Sequence, residues 1–139
     1  MSHQLLCEYR IQEAITNKVI LLVDQEINVR EVVEVCLCDL AGWNVLTVTY
    51  GQEGLNLALT DQPNAIILDL SLPDMDGFAF LKALRNNPLT KRIPVVLLTD
   101  KARWYTPQLL NSWGVVGAIA KPFDPVILPH QIAQALGWQ

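Results

Sequence analysis

Five short apolar runs punctuate the chain, and between them the apolar residues spread out to helical spacing. The runs are VILLVD at 19–24, NVLTVTY at 44–50, AIILDL at 65–70, IPVVLLT at 93–99 and VVGAIA at 115–120. Their length and β-branched content predict strands. The segments between predict helices near 28–41, 52–61, 76–87, 105–113 and 128–136. Local signals support several boundaries: Asn28 with Glu31 resembles a capping box, and Thr106 precedes Pro107 as a cap precedes a first-turn proline. Gly42 and Gly114 stand where helices should stop, and Pro129 would break a helix begun at 125, which moves the last start to about 128. Strands 1, 3 and 4 are apolar nearly throughout, without in/out alternation, so both of their faces should be covered by helices. The expected fold is α/β, a doubly wound five-stranded parallel sheet with helices on both faces.

In such sheets ligands bind beyond the carboxyl ends of the strands. Strand 1 delivers Asp24, Gln25 and Glu26 there; strand 3 delivers Asp69; strand 4 delivers Thr99 and Asp100; strand 5 delivers Lys121, followed by Pro122. Each residue alone is ordinary, since an acid at a strand end is often a helix cap or a solvated loop residue. Together they are not. Several carboxylates at one mouth repel each other unless a cation neutralises them, and an all-oxygen cluster suits a hard ion such as Mg²⁺. A hydroxyl and an ammonium beside them match what a transferring phosphoryl group needs.

Composition narrows the alternatives. The 139 residues, 51% hydrophobic and 17% charged, fit one domain. No apolar run approaches the roughly 20 residues that cross a bilayer, and the N-terminus lacks the layout of a secretory signal, so a cytoplasmic protein with no membrane contact is expected. Net charge is −4, and no basic run exceeds Lys91-Arg92, which leaves direct nucleic-acid binding without its electrostatic footprint. Cys7, Cys36 and Cys38 are read as small buried thiols, and His3 and His130 show no ligand spacing.

Four segments, VILLVDQE, IILDLSLPDMDGFAFLKALR, VVLLTDKA and GAIAKPF, resemble in order and spacing the receiver domain of two-component response regulators through most of 19–137. The resemblance implies a flavodoxin-like strand order 2-1-3-4-5. It implies that Asp69 accepts a phosphoryl group from a sensor histidine kinase or phosphotransfer protein, giving an acyl phosphate. Asp24 would help hold Mg²⁺ through water, with Asp69 and the backbone carbonyl of Ser71 as further ligands. Lys121 would pair with the phosphoryl oxygens. Thr99 would swing toward the phosphate and couple it to the face formed by the fourth helix, fifth strand and fifth helix. Pro73 and Gly77 would shape the loop after the acceptor. A downstream protein target is implied, and a homodimer through that same face or through residues 1–18 is open. Those first residues read as an extension, an extra helix or a tail. Nothing resembling an effector domain follows 137, so a stand-alone receiver is expected.

The chain also departs from the family pattern. Gln25 stands where a second metal-binding acid is usual, so Mg²⁺ binding should be weak or absent through that side chain. Glu26 either reaches into the site or stays solvated, as a glutamate at that position typically is in the family. Asp100 follows the threonine where a small residue is common; it either replaces the missing charge, repels the phosphate or simply points to solvent. Ala118 stands where a switch aromatic is frequent. Trp104, Tyr105, Trp113 and Trp138 either give the output face an aromatic surface or pack by half or more into the core. These departures favour, as an alternative, a degenerate receiver acting as a phosphorylation-independent interaction module. Two enzymatic or cofactor readings are weaker. DQEINVR lacks the glycines of a flavodoxin phosphate loop, and Ser71 stands where an aspartate-nucleophile phosphatase needs a second acid.

Overall fold

Alternation along the central strands sorts their side chains into two layers. Leu21, Val23, Ile66, Leu68, Val95 and Leu97 point to one side of the sheet, and Ile20, Leu22, Ala65, Ile67, Val96 and Leu98 to the other. All twelve are apolar because each side is roofed by helices. The computed structural model describes residues 18–138. Its elements run β1 (Val19–Val23), α1 (Ile27–Ala41), β2 (Asn44–Val48), α2 (Gly51–Asp61), β3 (Ala65–Leu68), α3 (Gly77–Asn86), β4 (Val95–Thr99), a 3₁₀ turn (Ala102–Trp104), α4 (Pro107–Ser112), β5 (Gly117–Ala120) and α5 (Leu128–Leu136). The strands form one parallel sheet in the order β2-β1-β3-β4-β5, as the resemblance implies.

The α1 and α5 helices cover one face through Val33, Leu37, Leu128 and Ile132. The other face is covered by Ala58 of α2 and by Phe80, Leu81 and Leu84 of α3, with Leu110 of α4 at its margin. Strand order reverses between β1 and β3, so the carboxyl ends of these two central strands open side by side. That is where Asp24 and Asp69 leave the sheet.

Local chemistry explains most of the boundaries. Thr106 caps α4, its hydroxyl accepting the Leu109 amide at 3.1 Å with Pro107 in the first turn. Gly42 and Gly114 take left-handed conformations, φ 74° and 70°, that a side chain would strain. The capping-box expectation fails. Helix α1 begins at Ile27 with Glu26 at its N-cap, so Asn28 lies inside the first turn. The cause is a tight turn upstream: Asp24 Oδ1 accepts the Glu26 amide at 2.8 Å and bends the chain into the helix early. The predicted strands also run long. Asp24 and Asp69 still donate their amides to Val48 O and Val23 O, but both residues stand just beyond the strands.

The aromatic residues divide between the layers. Tyr105 and Trp113 are half-buried and stack edge to face with ring centroids 5.0 Å apart, and Phe78 of α3 meets Trp113 at 4.8 Å. Trp138 lies in the opposite layer against Trp43, beneath the Lys18 ammonium. Only Trp104 of the four stands open to solvent, at 71% exposure, so the aromatic-surface alternative gives way to packing. Cys36 is a buried free thiol whose ionisation is opposed by burial and then by Asp39. Cys38 is buried but disulfide-bonded, which corrects the expectation of inert thiols. Cys7, His3 and the extension through residue 17 lie outside the described residues.

Candidate functional site

Parallel pairing in register brings the β1, β3 and β5 ends to one rim. Asp24 is wholly buried there and Asp69 is 7% exposed, both following strands whose other residues are apolar. Lys121 follows β5, its amide donating to Thr99 O at 2.9 Å, and is joined to Pro122 by a cis peptide bond. Its ammonium reaches across the mouth. Lys121 Nζ lies 2.8 Å from Asp24 Oδ2, 3.5 Å from Glu26 Oε1 and 3.6 Å from Asp69 Oδ2. One cation thus serves three carboxylates, leaving a surplus of two negative charges when all four groups are ionised. Arg30 adds a guanidinium nearby, but it is engaged by the backbone oxygen of Asp24 at 2.8 Å rather than by a carboxylate.

The electrostatics follow from that crowding. Burial is the main force raising the Asp69 carboxyl above its ordinary range; the Ser71 amide and Lys121 oppose it, while Asp24 and Glu26 add repulsion. For Lys121, burial pulls the ammonium downward, yet Asp24 first and then Asp69 and Glu26 together override it and hold the group above the usual lysine range. Asp69 Oδ1 accepts the Ser71 amide at 3.1 Å, which fixes the carboxylate against the loop. That loop is itself tied down. Ser71 bridges Asp76, the Gly77 amide donates to Leu70 O at 2.9 Å, and Asp74 accepts the Gly51 and Gln52 amides at the start of α2 at 2.7 and 3.0 Å. Those two amides, Gln52 first, hold the Asp74 carboxyl below its ordinary range.

A cleft of about 650 Å³ opens over these groups, lined by Gln25, Glu26, Asp69, Ser71, Asp100 and Lys121 on its polar side. Val29, Val32, Phe123 and Pro125 form its apolar wall. Most of the strand-end residues singled out in the sequence therefore meet. Thr99 stands apart from the lining: it is buried, and its hydroxyl accepts the Lys101 amide at 3.1 Å. Pro73 is exposed on the loop, whereas Gly77 is buried against it. Ala118 is half-buried beside the layer that holds Tyr105 and Trp113. For Glu26 the sequence leaves two readings, a solvated acid or one that reaches into the site, and the structure brings it to the mouth. A carboxylate oxygen of Glu26 lies within 4.8 Å of one from Asp24 and one from Asp69. The available signal was its spacing, two residues past Asp24, at the length of a side-chain-capped turn.

The donor set fits a hard divalent cation. It is all oxygen and negatively charged in surplus. Asp24 Oδ2, although close to Lys121, is buried without a hydrogen bond of good direction among the described residues.

Comparison with known proteins agrees. The family model described as the response regulator receiver domain matches residues 20–133. The alkaline phosphatase synthesis transcriptional regulatory protein PhoP of Bacillus subtilis is 35% identical over 109 residues, covering 78% of this chain and 44% of PhoP. A probable chemotaxis protein CheY of Rhizobium etli is 30% identical over 105 residues, 75% of this chain and 81% of its own length. The chain thus spans about half of its transcriptional-regulator relatives and most of CheY. Among solved structures, the chemotaxis response regulator CheY4 of Vibrio cholerae superposes with TM-score 0.77 at 33% identity, covering 86% of this chain and 99% of that one. The receiver domain of the Pseudomonas aeruginosa sensor histidine kinase PA1611, with magnesium coordinated in its active-site cleft, gives 0.75 at 27% identity, covering 88% and 99%. Strand order, strand-end chemistry and sequence agree, and the chain belongs to the response regulator receiver domain family of two-component signalling.

Proposed function

We propose that this receiver is phosphorylated on Asp69 and signals through protein contacts that depend on that modification. The supporting observation is the placement of a nearly buried carboxylate, Asp69, in an open cleft and within 3.6 Å of the Lys121 ammonium. An Asp69 oxygen attacks the phosphorus of a phosphohistidine, the P–N bond breaks, and the leaving imidazole keeps the electron pair and takes up a proton. The product is an acyl phosphate on Asp69. Lys121 holds the phosphoryl oxygens, and the Ser71 amide keeps the nucleophile aimed out of the sheet. Rotation of the Thr99 side chain away from the Lys101 amide offers its hydroxyl to the new phosphate. Asp24, Asp69 and the backbone carbonyl of Ser71 would hold Mg²⁺, with Gln25 contributing at most a neutral amide oxygen. The bound ion supplies charge neutralisation for the phosphoryl oxygens.

The donor is a sensor histidine kinase or phosphotransfer protein, and the output is a downstream protein target. A cytoplasmic location belongs to the proposal. Among the described residues no helix is long and apolar enough to cross a membrane. Homodimerisation through α4, β5 and α5 or through the N-terminal extension belongs to the same proposal. Intact mass after incubation with a small-molecule phosphoryl donor tests the chemistry. A Mg²⁺-dependent single adduct, lost in Asp69→Asn, supports it, and no adduct at any Mg²⁺ concentration overturns it. Gln25 at the cleft and the exposed acid Asp100 on its rim favour the second reading, a constitutive binding module. Under that reading Asp69→Asn leaves target binding unchanged.

A further inference from the structure

Resting on this metal-assisted reading, we infer that Glu26 takes over the metal-holding charge that Gln25 cannot supply, so the acidic site has moved by one residue rather than been lost.

Three observations carry it. The first is proximity: carboxylate oxygens of Asp24, Glu26 and Asp69 fall within 4.8 Å of one another, whereas Gln25, which lines the same cleft, has no carboxylate to add. The second is the state of the Glu26 side chain. It occupies the N-cap of α1, where a side chain ordinarily accepts an amide of the first turn, yet it makes no capping hydrogen bond. Its carboxylate turns instead toward Lys121, 3.5 Å away, so its charge is committed to the cleft and not to the helix. The third is the backbone that puts it there. The Glu26 amide is held by Asp24 Oδ1, which makes residues 24–26 a tight turn and fixes the origin of the Glu26 side chain next to the buried acid.

A glutamate is one methylene longer than an aspartate. Starting one residue farther from the strand, it reaches the same cluster from the α1 side while remaining 57% exposed at its own side chain. The exposure matters for how it acts. An exposed carboxylate is screened and keeps its hydration, so Glu26 holds the ion more loosely than a buried acid would. Mg²⁺ retains several waters in most protein sites and tolerates a ligand acting through one of them, so the 4.8 Å spread needs little closure. The other groups facing the Glu26 carboxylate are Lys121 and, across the mouth, Asp24 and Asp69. Removing its charge therefore subtracts from metal affinity without uncovering core.

The experiment is calorimetric titration of the unphosphorylated full chain with MgCl₂, comparing wild type, Glu26→Gln, Gln25→Asp, the double variant, and Asp24→Asn as reference. Melting curves verify that each is folded. The expected result is a Kd for Mg²⁺ raised about tenfold or more by Glu26→Gln, as ligand-shell changes do elsewhere. Gln25→Asp tightens binding, and in its presence Glu26→Gln costs little, because the two acids compete for one role and their effects fail to add. The inference is overturned if Glu26→Gln leaves Kd unchanged while Asp24→Asn weakens it: the site then binds metal without Glu26. If neither change alters a measurable Kd, or wild type binds no Mg²⁺, the metal-assisted reading itself falls.

Discussion

Replacing Gly77 by alanine should damage both stability and the phosphorylation site, and the structure says by how much relative to a matched control. A Cβ at Gly77 would lie 2.5 Å from Leu70 Cα, 2.7 Å from Leu70 Cδ2 and 2.9 Å from Leu70 O. Two of these are backbone atoms of the residue after Asp69, so relief requires moving the loop or the start of α3. Gly51 opens α2 as Gly77 opens α3, and a Cβ there would come equally close, 2.6 Å from Met75 Cγ and 2.7 Å from Met75 Sδ. The obstacle at Gly51 is the end of a flexible side chain that can turn away. Neither glycine has positive φ, so both substitutions gain the same reduction in unfolded-state entropy, about 0.4–1 kcal/mol. Overpacking against an immovable neighbour costs about 1–3 kcal/mol, and the Gly77 clash belongs at or above the upper end. Gly77→Ala should therefore destabilise by roughly 2 kcal/mol net, lowering Tm by about 6–10 °C in a chain of this size. Gly51→Ala should stay within about 1 kcal/mol of wild type. Thermal melting with circular dichroism reads both, and the rate of phosphoryl-adduct formation should fall in Gly77→Ala because Leu70 carries Asp69 and Ser71 with it. Equal Tm changes in the two variants, or a Gly77→Ala protein that melts like wild type, would refute the reasoning.

The charges of the site make further predictions. Burial raises the Asp69 carboxyl, so the folded state favours its protonated form. Stability lost to ionising Asp69 appears as pH rises from the ordinary carboxyl range through the folded pKa, and it is complete above that pKa. Asp69→Asn should then melt above wild type at pH 7, with the advantage fading as pH falls toward the ordinary carboxyl range near about 4 and absent below it; an advantage that grows on acidification would contradict this. Lys121→Ala leaves three carboxylates facing one another, so millimolar Mg²⁺ should raise its Tm by more than it raises that of wild type, and an equal shift would count against a shared site. Arg85 donates to the backbone oxygens of Lys91, Ile93 and Gly114 at 2.9, 2.7 and 2.7 Å, joining α3 to the turns before β4 and β5. Arg85→Met should cost about 2–4 kcal/mol in denaturant melts, since hydrogen bonds to charged groups contribute about 1.5–3 kcal/mol each and these are partly exposed. Lysine should fail to rescue it, because one ammonium lacks the planar fork that spans three carbonyls.

The chain's local patterns were sufficient for the sheet and for the rim. Apolar runs without alternation mark strands covered on both sides, and polar residues that end such runs must leave the sheet at its carboxyl edge; this placed Asp24, Asp69 and Lys121 correctly. The capping of α4 by Thr106 and the glycine stops at 42 and 114 are likewise short-range, set by a hydroxyl, an amide and a backbone angle within a few residues. Strand order came from resemblance to a family, because local periodicity says nothing about which strand pairs with which. Tertiary structure alone decided the rest. The sequence left Glu26 between a solvated acid and one that reaches into the site; the Asp24 turn and the Lys121 ammonium, 95 positions later in sequence, gave its side chain a destination. Trp113 and Trp138 are alike in sequence terms, yet α4 and α5 pack on opposite faces of the sheet and send them to different cores. Side-chain destination depends on neighbours supplied by distant segments, and only the folded chain brings those neighbours within reach.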